Sequence, residues 1–312
     1  MGLSYGSLSK KPRLFRQLTT LTVEEFETLS KKLTPEWEQR EYARKSARPD
    51  RINKVGQGHP YFADFPTLLL LLILYTRTSC GNVLLTLLFG IREQTIYEII
   101  PKLLPLLHDR FIPESTLTKK RKPRGRINTI DDLIAAYPEI ESIITDGTDI
   151  LTRRPKRKQK KNYSGKSKKH CKKTVLVVNA SDGIILGRTR LRPGSVHDKR
   201  ILDEDVLHGR LDRDQELKKR ADSAWTGEDP GHGWLVNKRG RRNHPLTDDE
   251  KTQNRKLSHI RVRVEHAIRR VKVFRRIGEK TAFRVKGRLD QTLQTAINLA
   301  NFKQLVRHPL TA

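Results

Sequence analysis

Cysteine is almost absent from this chain, which has two, Cys80 and Cys171, in 312 residues. So few thiols exclude a disulfide framework and fit a reducing compartment. Long apolar runs are missing too. The most apolar stretch, Leu68 to Tyr75, is far too short to cross a bilayer. No amphipathic surface helix stands out for anionic lipid, so membrane attachment is not expected. The opening Met1-Gly2-Leu3-Ser4-Tyr5-Gly6 has no secretion signal, and Gly6 stands where a myristoylation pattern wants Ser or Thr. The expectation is a soluble, cytoplasmic protein. Acid is scarce as well: 35 Asp and Glu face 64 Lys and Arg, a formal net charge of +29. A surface so basic is suited to lie along a polyanion, DNA or RNA.

Against that background three carboxylates stand out. They are Asp146 in Ile144-Thr145-Asp146-Gly147-Thr148, Asp222 in Ala221-Asp222-Ser223-Ala224-Trp225, and Glu265 in Arg263-Val264-Glu265-His266. Acids inside a phosphate-binding surface repel their own ligand unless a metal ion stands between. A turn at Asp146-Gly147, and an ordinary Arg–Glu–Arg ladder around Glu265, are the plainer readings of each acid taken alone.

Hydrophobic residues make up only 35% of the chain, but they cluster, so a packed core is feasible. Thr22 with Glu25 predicts a capping box and a short helix through Leu29. Pro66 suits the first turn of a helix through about Arg77. A second helix covers Val83 to Leu88, and a third starts near Glu93 after Phe89-Gly90-Ile91. Helix, glycine turn, helix over about 60–108 is a helix-turn-helix plan. In that reading Arg92, Gln94, Thr95 and Tyr97 face a DNA groove. An all-helical packing unit with no nucleic-acid contact explains the same pattern equally well. Residues 119–126 hold six Lys or Arg in eight, broken by Pro and Gly, and mark a basic linker over 113–138.

Beyond residue 139 the pattern turns to α/β. Ile140 to Thr145 reads as a strand ending at Asp146. Residues 153–173 hold twelve Lys or Arg and no acid, which predicts a mobile, solvated loop. Thr174 to Asn179 is a continuous apolar run suited to a strand buried on both faces. Ser181-Asp182-Gly183 makes a hairpin turn, with Ile184 to Leu191 returning. Ser195 is placed to cap a helix, with Asp198 three residues on. Leu217-Lys218-Lys219-Arg220-Ala221 is too polar to predict as a buried strand. Leu257, Ile260, Val264, Ala267, Val271 and Phe274 form a helical core stripe, with Glu265 on its shoulder. The plan is one mixed sheet flanked by helices.

Phosphodiester cleavage needs an in-line nucleophile and neutralisation of charge on the attacking and leaving oxygens. Two hard cations about 3.5–4 Å apart supply both. Carboxylates without a Cys/His cluster fit Mg²⁺ or Mn²⁺ better than Zn²⁺.

A longer series of fragments runs in order along residues 143–276. It comprises Asp146-Gly147-Thr148, Tyr163-Ser164-Gly165-Lys166, His170, Lys173, Gly194-Ser195-Val196-His197-Asp198 and Asp222-Ser223-Ala224-Trp225-Thr226-Gly227. It continues through Leu246-Thr247 with Glu250-Lys251 and Asn254 to Arg261-Val262-Arg263-Val264-Glu265-His266, Lys272 and Phe274. The set resembles the DDE-type insertion-sequence transposases, and the helix-turn-helix over Pro60 to Ile100 resembles the region upstream of their catalytic domain. The resemblance implies an RNase H-like catalytic domain over 139–312 behind an N-terminal helical region over 1–112. It implies two bound divalent ions, Mg²⁺ or Mn²⁺. Asp146 would bridge them, Asp222 would hold one, and Glu265 the other.

The implied reaction is hydrolytic cleavage at element ends, then attack of the freed 3′ hydroxyl on target double-stranded DNA, by a homodimer or larger assembly in a synaptic complex. Such a protein is nucleoid-associated when bound to DNA. Lys166, Lys173, Arg261, Arg269 and Lys272 are the candidate phosphate contacts near the site. His197 and Asp198 are expected to cap and pack, and His266 to be a packed or solvated imidazole rather than a substrate contact. Ala224, Trp225 and Asp149 depart from the family's usual Gly, Tyr and Glu. The alternatives are a transposase-derived DNA-binding protein that no longer cuts, and a general nuclease or RNA-processing enzyme on the same fold.

Overall fold

The computed structural model describes residues 2–47, 62–79, 81–107, 140–204, 218–221, 234–240, 243–280, 283, 285 and 287–308. Cys80, the basic linker and Asp222 lie outside the described residues. The chain forms two compact units. One comprises Met1–Phe111, Phe274–Ile277 and Val285–Arg307; the other comprises Ile112–Val273, Gly278–Arg284 and His308–Ala312.

The first unit is helical. Helices α1 (Tyr5–Leu8), α2 (Pro12–Thr19) and α3 (Val23–Ser46) precede α4 (Phe65–Arg77), α5 (Asn82–Phe89) and α6 (Glu93–Leu103). The Thr22–Glu25 capping box is present in both directions, at 3.2 and 2.8 Å. Helix α3 runs well past the expected Leu29 because Phe26, Leu29, Leu33 and Trp37 continue a buried stripe at three- and four-residue spacing. At α4 the Asp64 carboxylate accepts from the Thr67 amide at 3.2 Å, and Leu68 to Leu74 are all at most 1% exposed, so this helix is the centre of the unit. Gly90, at φ 64°, closes α5 in the left-handed conformation that glycine adopts freely, and α6 begins at Glu93.

The chain returns to this unit with its last helix, α9 (Arg288–Arg307). Leu293, Ala296, Ile297, Leu299, Ala300 and Phe302 are all buried on it, and it packs on Leu104–Leu107 and α4. Arg307 forks onto Glu25 at 2.6 and 2.9 Å. One turn earlier, burial pushes the Lys303 ammonium down to about 8, with Arg307, Arg77 and Arg16 adding to the shift and Glu25 opposing it. The unfolded chain therefore binds the extra proton between about pH 8 and Lys303's ordinary 10.5, and stability from this group rises with pH across that window. Lys303→Met is expected to raise the melting temperature at pH 7, with the gain shrinking above pH 8. A gain that does not change from pH 7 to 10 would contradict the burial argument.

The second unit is built on one sheet. Its strands are β1 (Ser142–Leu151), β2 (Tyr163–Ser164), β3 (Lys169–Asn179), β4 (Ile185–Arg188), β5 (Arg192–Pro193), β6 (Lys218–Ala221) and β7 (Trp234–Val236). The order β2-β3-β1-β6-β7 is antiparallel from β3 to β1 and parallel from β1 through β6 to β7. Strands β2, β5 and β4 each pair with a successive stretch of β3. Helix α7 (Asp198–Glu204) packs on β3, and α8 (Asp248–Lys272) crosses β1, β3, β6 and β7.

Several expectations need correction here. Strand β1 does not stop at Asp146: its ladder with β3 continues to Leu151 opposite Cys171, so Asp146 is mid-strand, opposite Leu176. The cationic run over 153–173 is not one loop, because β3 already starts at Lys169 and β2 pairs back onto it. The helix expected from Ser195 starts at Asp198, since Arg192–Pro193 is held as strand β5 beside Lys172 and Lys173. The return strand is shorter than expected, Ile185–Arg188. The polar Lys218–Ala221 segment is a strand after all. Ladders to β1 and β7 on its two sides supply what propensity does not, and Ala221 is buried with Val175 and Ile201.

Candidate active site

Strand β1 places Asp146 half-buried near the middle of the sheet, where its Oδ1 accepts the Gly147 amide at 2.8 Å. A main-chain bond to one oxygen fixes the carboxylate's orientation on a rigid element. Gly147 itself is demanded by its neighbour: a Cβ there would lie 2.7 Å from Cγ of Asp198. The Asp198 carboxylate rests on that glycine and is held by the Lys173 ammonium at 3.1 Å. Lys173 is 5% exposed, so it is an internal counter-ion for Asp198 rather than a solvent-facing phosphate contact. Sequence reasoning gave Asp198 a capping role; the helix does start at it, and the ion pair was the part not seen.

Next on β1, Asp149 stands opposite Lys173. Burial, with Asp149 adding, pushes the neighbouring Cys171 thiol up to about 11. Burial thus favours the neutral thiol at this position.

Helix α8 brings Glu265. Its start is set by the Thr247–Glu250 capping box, at 3.2 and 3.0 Å, which gives a structural meaning to the Leu246-Thr247 and Glu250 fragment of the sequence. Val264, Ala267 and Val271 are buried against the sheet. Arg263, donating to Ser181 O at 2.9 Å and to Ala180 O, and Arg270, donating to Gly183 O, tie one side of the helix to the β3–β4 turn. They are seven residues apart, two helical turns, and their role was not legible in the sequence. Glu265 and Lys272 share the same spacing on another side of the helix. Burial lowers the Lys272 pKa, and the charges of Asp149 and Asp146 act on it in the opposite direction. The stripe of α8 that carries Glu265 thus ends in a cation within electrostatic reach of Asp146. Glu265 is exposed, as are His266 and Arg269, while Arg261 is half-buried.

The third carboxylate, Asp222, follows Ala221 at the end of β6 and lies outside the described residues. Among the described residues, no three of His, Cys, Asp and Glu come together in a way that could hold a metal ion. His197 has a local role, its Nδ1 accepting the Lys199 amide at 3.3 Å.

Of the candidate DNA contacts, Lys166 is exposed in the turn between β2 and β3. In the helical unit Arg92 and Gln94 are exposed at the start of α6, Tyr97 is 50% exposed, and Thr95 is half-buried. Gln94 donates to Glu98 at 2.9 Å. Among the described residues no helix is long and apolar enough to cross a membrane.

Residues 145–301, half of the chain, match the family model described as DDE superfamily endonuclease. The chain is also similar to a probable transposase for insertion sequence element IS702 of Microchaete diplosiphon, 33% identical over 139 residues. That alignment takes in 42% of this chain and 46% of the relative, so the chain spans less than half of the relative's length. No solved structure matches.

Proposed function

The chain belongs to the DDE superfamily endonucleases, and on that footing we propose that it is a DNA transposase. It would cut at the ends of an insertion sequence and join the freed 3′ hydroxyl to target DNA. The observation that carries the site is the parallel register of β1 and β6, which pairs Ile144 with Arg220. Strand β6 thus lies directly beside the strand that carries Asp146, and Asp222 follows its last residue, Ala221, in the sequence. Order β4-β3-β1-β6-β7, antiparallel on one side and parallel on the other, supports an RNase H-like reading of the unit.

The donor set is oxygen only: a half-buried aspartate on a strand, an exposed glutamate on a helix and Asp222, the residue that follows β6 in sequence. That set fits a hard cation, Mg²⁺ or Mn²⁺, held by Asp146, Asp222 and Glu265. Such ions, when bound, activate water and stabilise the leaving 3′ oxygen. The protein's own part is to hold the donors still. Gly147 N–H orients Asp146, and the Arg263 and Arg270 bonds fix the rotation of α8 and so the direction of Glu265. Lys272 balances the negative charge around Asp146 and is placed to meet a phosphate there. Arg92, Gln94, Thr95 and Tyr97 on the helical unit are the proposed contacts to element-end DNA, with Arg261 and Arg269 contacting phosphates near the site. Synapsis of two ends implies a homodimer or larger assembly.

The test is cleavage, with Mg²⁺, of duplexes carrying the DNA that flanks the coding region against unrelated duplexes of equal length. Cutting confined to the flanking ends is the expected result. Indiscriminate cutting would make the protein a general nuclease. Binding to the ends with no cutting in Mg²⁺ or Mn²⁺ would leave only a DNA-binding protein.

A further inference from the structure

The stretch between β1 and β3, read from sequence as a solvated loop, is a folded arm. Residues 153–169 carry ten Lys or Arg and no acid, and all ten are exposed. Among the described residues, none of the ten is paired with a carboxylate. A charge run of this kind is usually a flexible, hydrated segment, because spreading out relieves its self-repulsion. Here the backbone is held in place instead. A short 3₁₀ turn, Lys160–Asn162, leads into β2, which pairs back onto the start of β3.

The Asn162 amide donates to Lys158 O at 3.0 Å and accepts from the Lys172 ammonium at 2.7 Å. Arg154 forks onto the Gln159 side chain at 2.9 and 2.6 Å. Ser195 N donates to Lys161 O at 3.3 Å, and Gly194 lies so close beneath that a Cβ there would be 2.8 Å from Asn162 O. Lys158 and Lys168 take φ values of 55° and 51°, a left-handed conformation in which a lysine is strained where glycine would be at ease. The fold thus gives up stability to keep like charges together in a fixed shape, and a bound polyanion would offset that cost.

We propose that this arm is a preformed clamp for the DNA backbone, its exposed lysines and arginines lying along the phosphates of a duplex beside the proposed cleavage site. Duplex DNA, rather than another polyanion, rests on the function proposed above. Position supports it: the arm leaves from Leu151, five residues along the strand from Asp146. At roughly 3.3 Å per residue that is about 17 Å, close to five base-pair steps. The base of the arm is thus only a few base-pair steps from Asp146. Lys166 is one member of the clamp, and the clamp would supply affinity without reading sequence.

The test uses the full chain carrying Lys156→Ala, Arg157→Ala, Lys160→Ala and Lys161→Ala together. Binding to an uncut duplex is measured without divalent metal over a range of salt. Each phosphate neutralised by the protein adds roughly 0.9 to the slope of log K against log salt. With four cations removed that slope should fall by about 3 to 4, and affinity near 0.15 M salt by tenfold or more. A control with Lys10→Ala, Lys11→Ala, Arg13→Ala and Lys31→Ala, four exposed cations of the helical unit, should lose less than half as much. Equal losses in the two variants would overturn the proposal, as would an unchanged slope in the first. Should the arm variant melt early, lysine-reactivity footprinting of the unaltered protein decides instead: duplex DNA must protect Lys156, Lys158, Lys160 and Lys161, and equal labelling with and without DNA overturns the clamp. Tighter binding of a hairpin RNA than of duplex DNA would also overturn it. No arm experiment requires cleavage, so an inert enzyme whose arm binds DNA sinks only the transposase reading, and an active enzyme whose arm variant binds normally sinks only the clamp.

Discussion

Asp146→Asn is expected to lower DNA cleavage by a factor of about a thousand or more while leaving duplex binding and melting temperature nearly unchanged. Asn keeps the volume and the acceptor for the Gly147 amide, but it removes the negative charge that a divalent cation needs. Three decades of rate correspond to about 4 kcal/mol of transition-state stabilisation, of the size expected when an electrostatic element of a site is removed. Binding is carried by the lysines and arginines, so it should even rise slightly when one repelling carboxylate is neutralised. The informative pair of measurements is single-turnover cleavage and metal-free affinity on the same duplex. Cleavage within tenfold of wild type would show that Asp146 is only a structural residue of β1 and holds no cation.

Gly147→Ala carries the second large effect. The added methyl would stand 2.7 Å from Cγ and 2.9 Å from Oδ2 of Asp198, and Asp198 cannot step aside without loosening its bond to buried Lys173. Overpacking of this kind costs about 1–3 kcal/mol. The strand also carries Asp146 one residue away, so a displacement of about 1 Å there would reduce cleavage roughly a hundredfold. Gly165→Ala is the natural comparison, because nothing lies within 4 Å of a Cβ at that position. It should change stability by less than about 0.5 kcal/mol and leave cleavage intact. Equal behaviour of the two variants in thermal melts and in cleavage would remove Asp198 and Gly147 from the account.

Local signals were legible wherever one residue type does one job. Thr22 with Glu25, Pro66 and Gly90 marked helix boundaries that the structure reproduces within a residue or two. The Val264, Ala267 and Val271 stripe fixed the buried face of α8 and therefore the shoulder position of Glu265. The β3–β4 hairpin was legible too, but strand extents set by a distant partner were not. Lys218–Ala221 is polar because its strand character comes from ladders on both sides, and no property of four residues discloses a ladder. Lys169 to Lys173 reads as a charged loop until β1 is laid beside it; only then does the alternation of buried Cys171 and Lys173 become visible.

The candidate site divides in the same way. Order along the chain singled out Asp146, Asp222 and Glu265. The supports around them join residues far apart in sequence: Lys173 on Asp198 and Arg263 on Ser181 by contact, and Lys272 through the charges of Asp149 and Asp146. The two compact units follow a similar logic. Helix α9 joins the N-terminal helices because its nearly continuous buried face needs helices on several sides, a demand that hydropathy reports without naming the partner.

The central claim is that Asp146, Asp222 and Glu265 hold divalent cations at one place. A crystal of the full chain soaked in Mn²⁺ and measured at the manganese absorption edge tests it most directly. The account predicts an anomalous peak coordinated by Asp146 with Asp222 or Glu265 and lost in Asp146→Asn. Manganese bound elsewhere with none at Asp146, or the three carboxylates more than about 12 Å apart with the ion present (each within about 2–3 Å of it being the requirement), would contradict it.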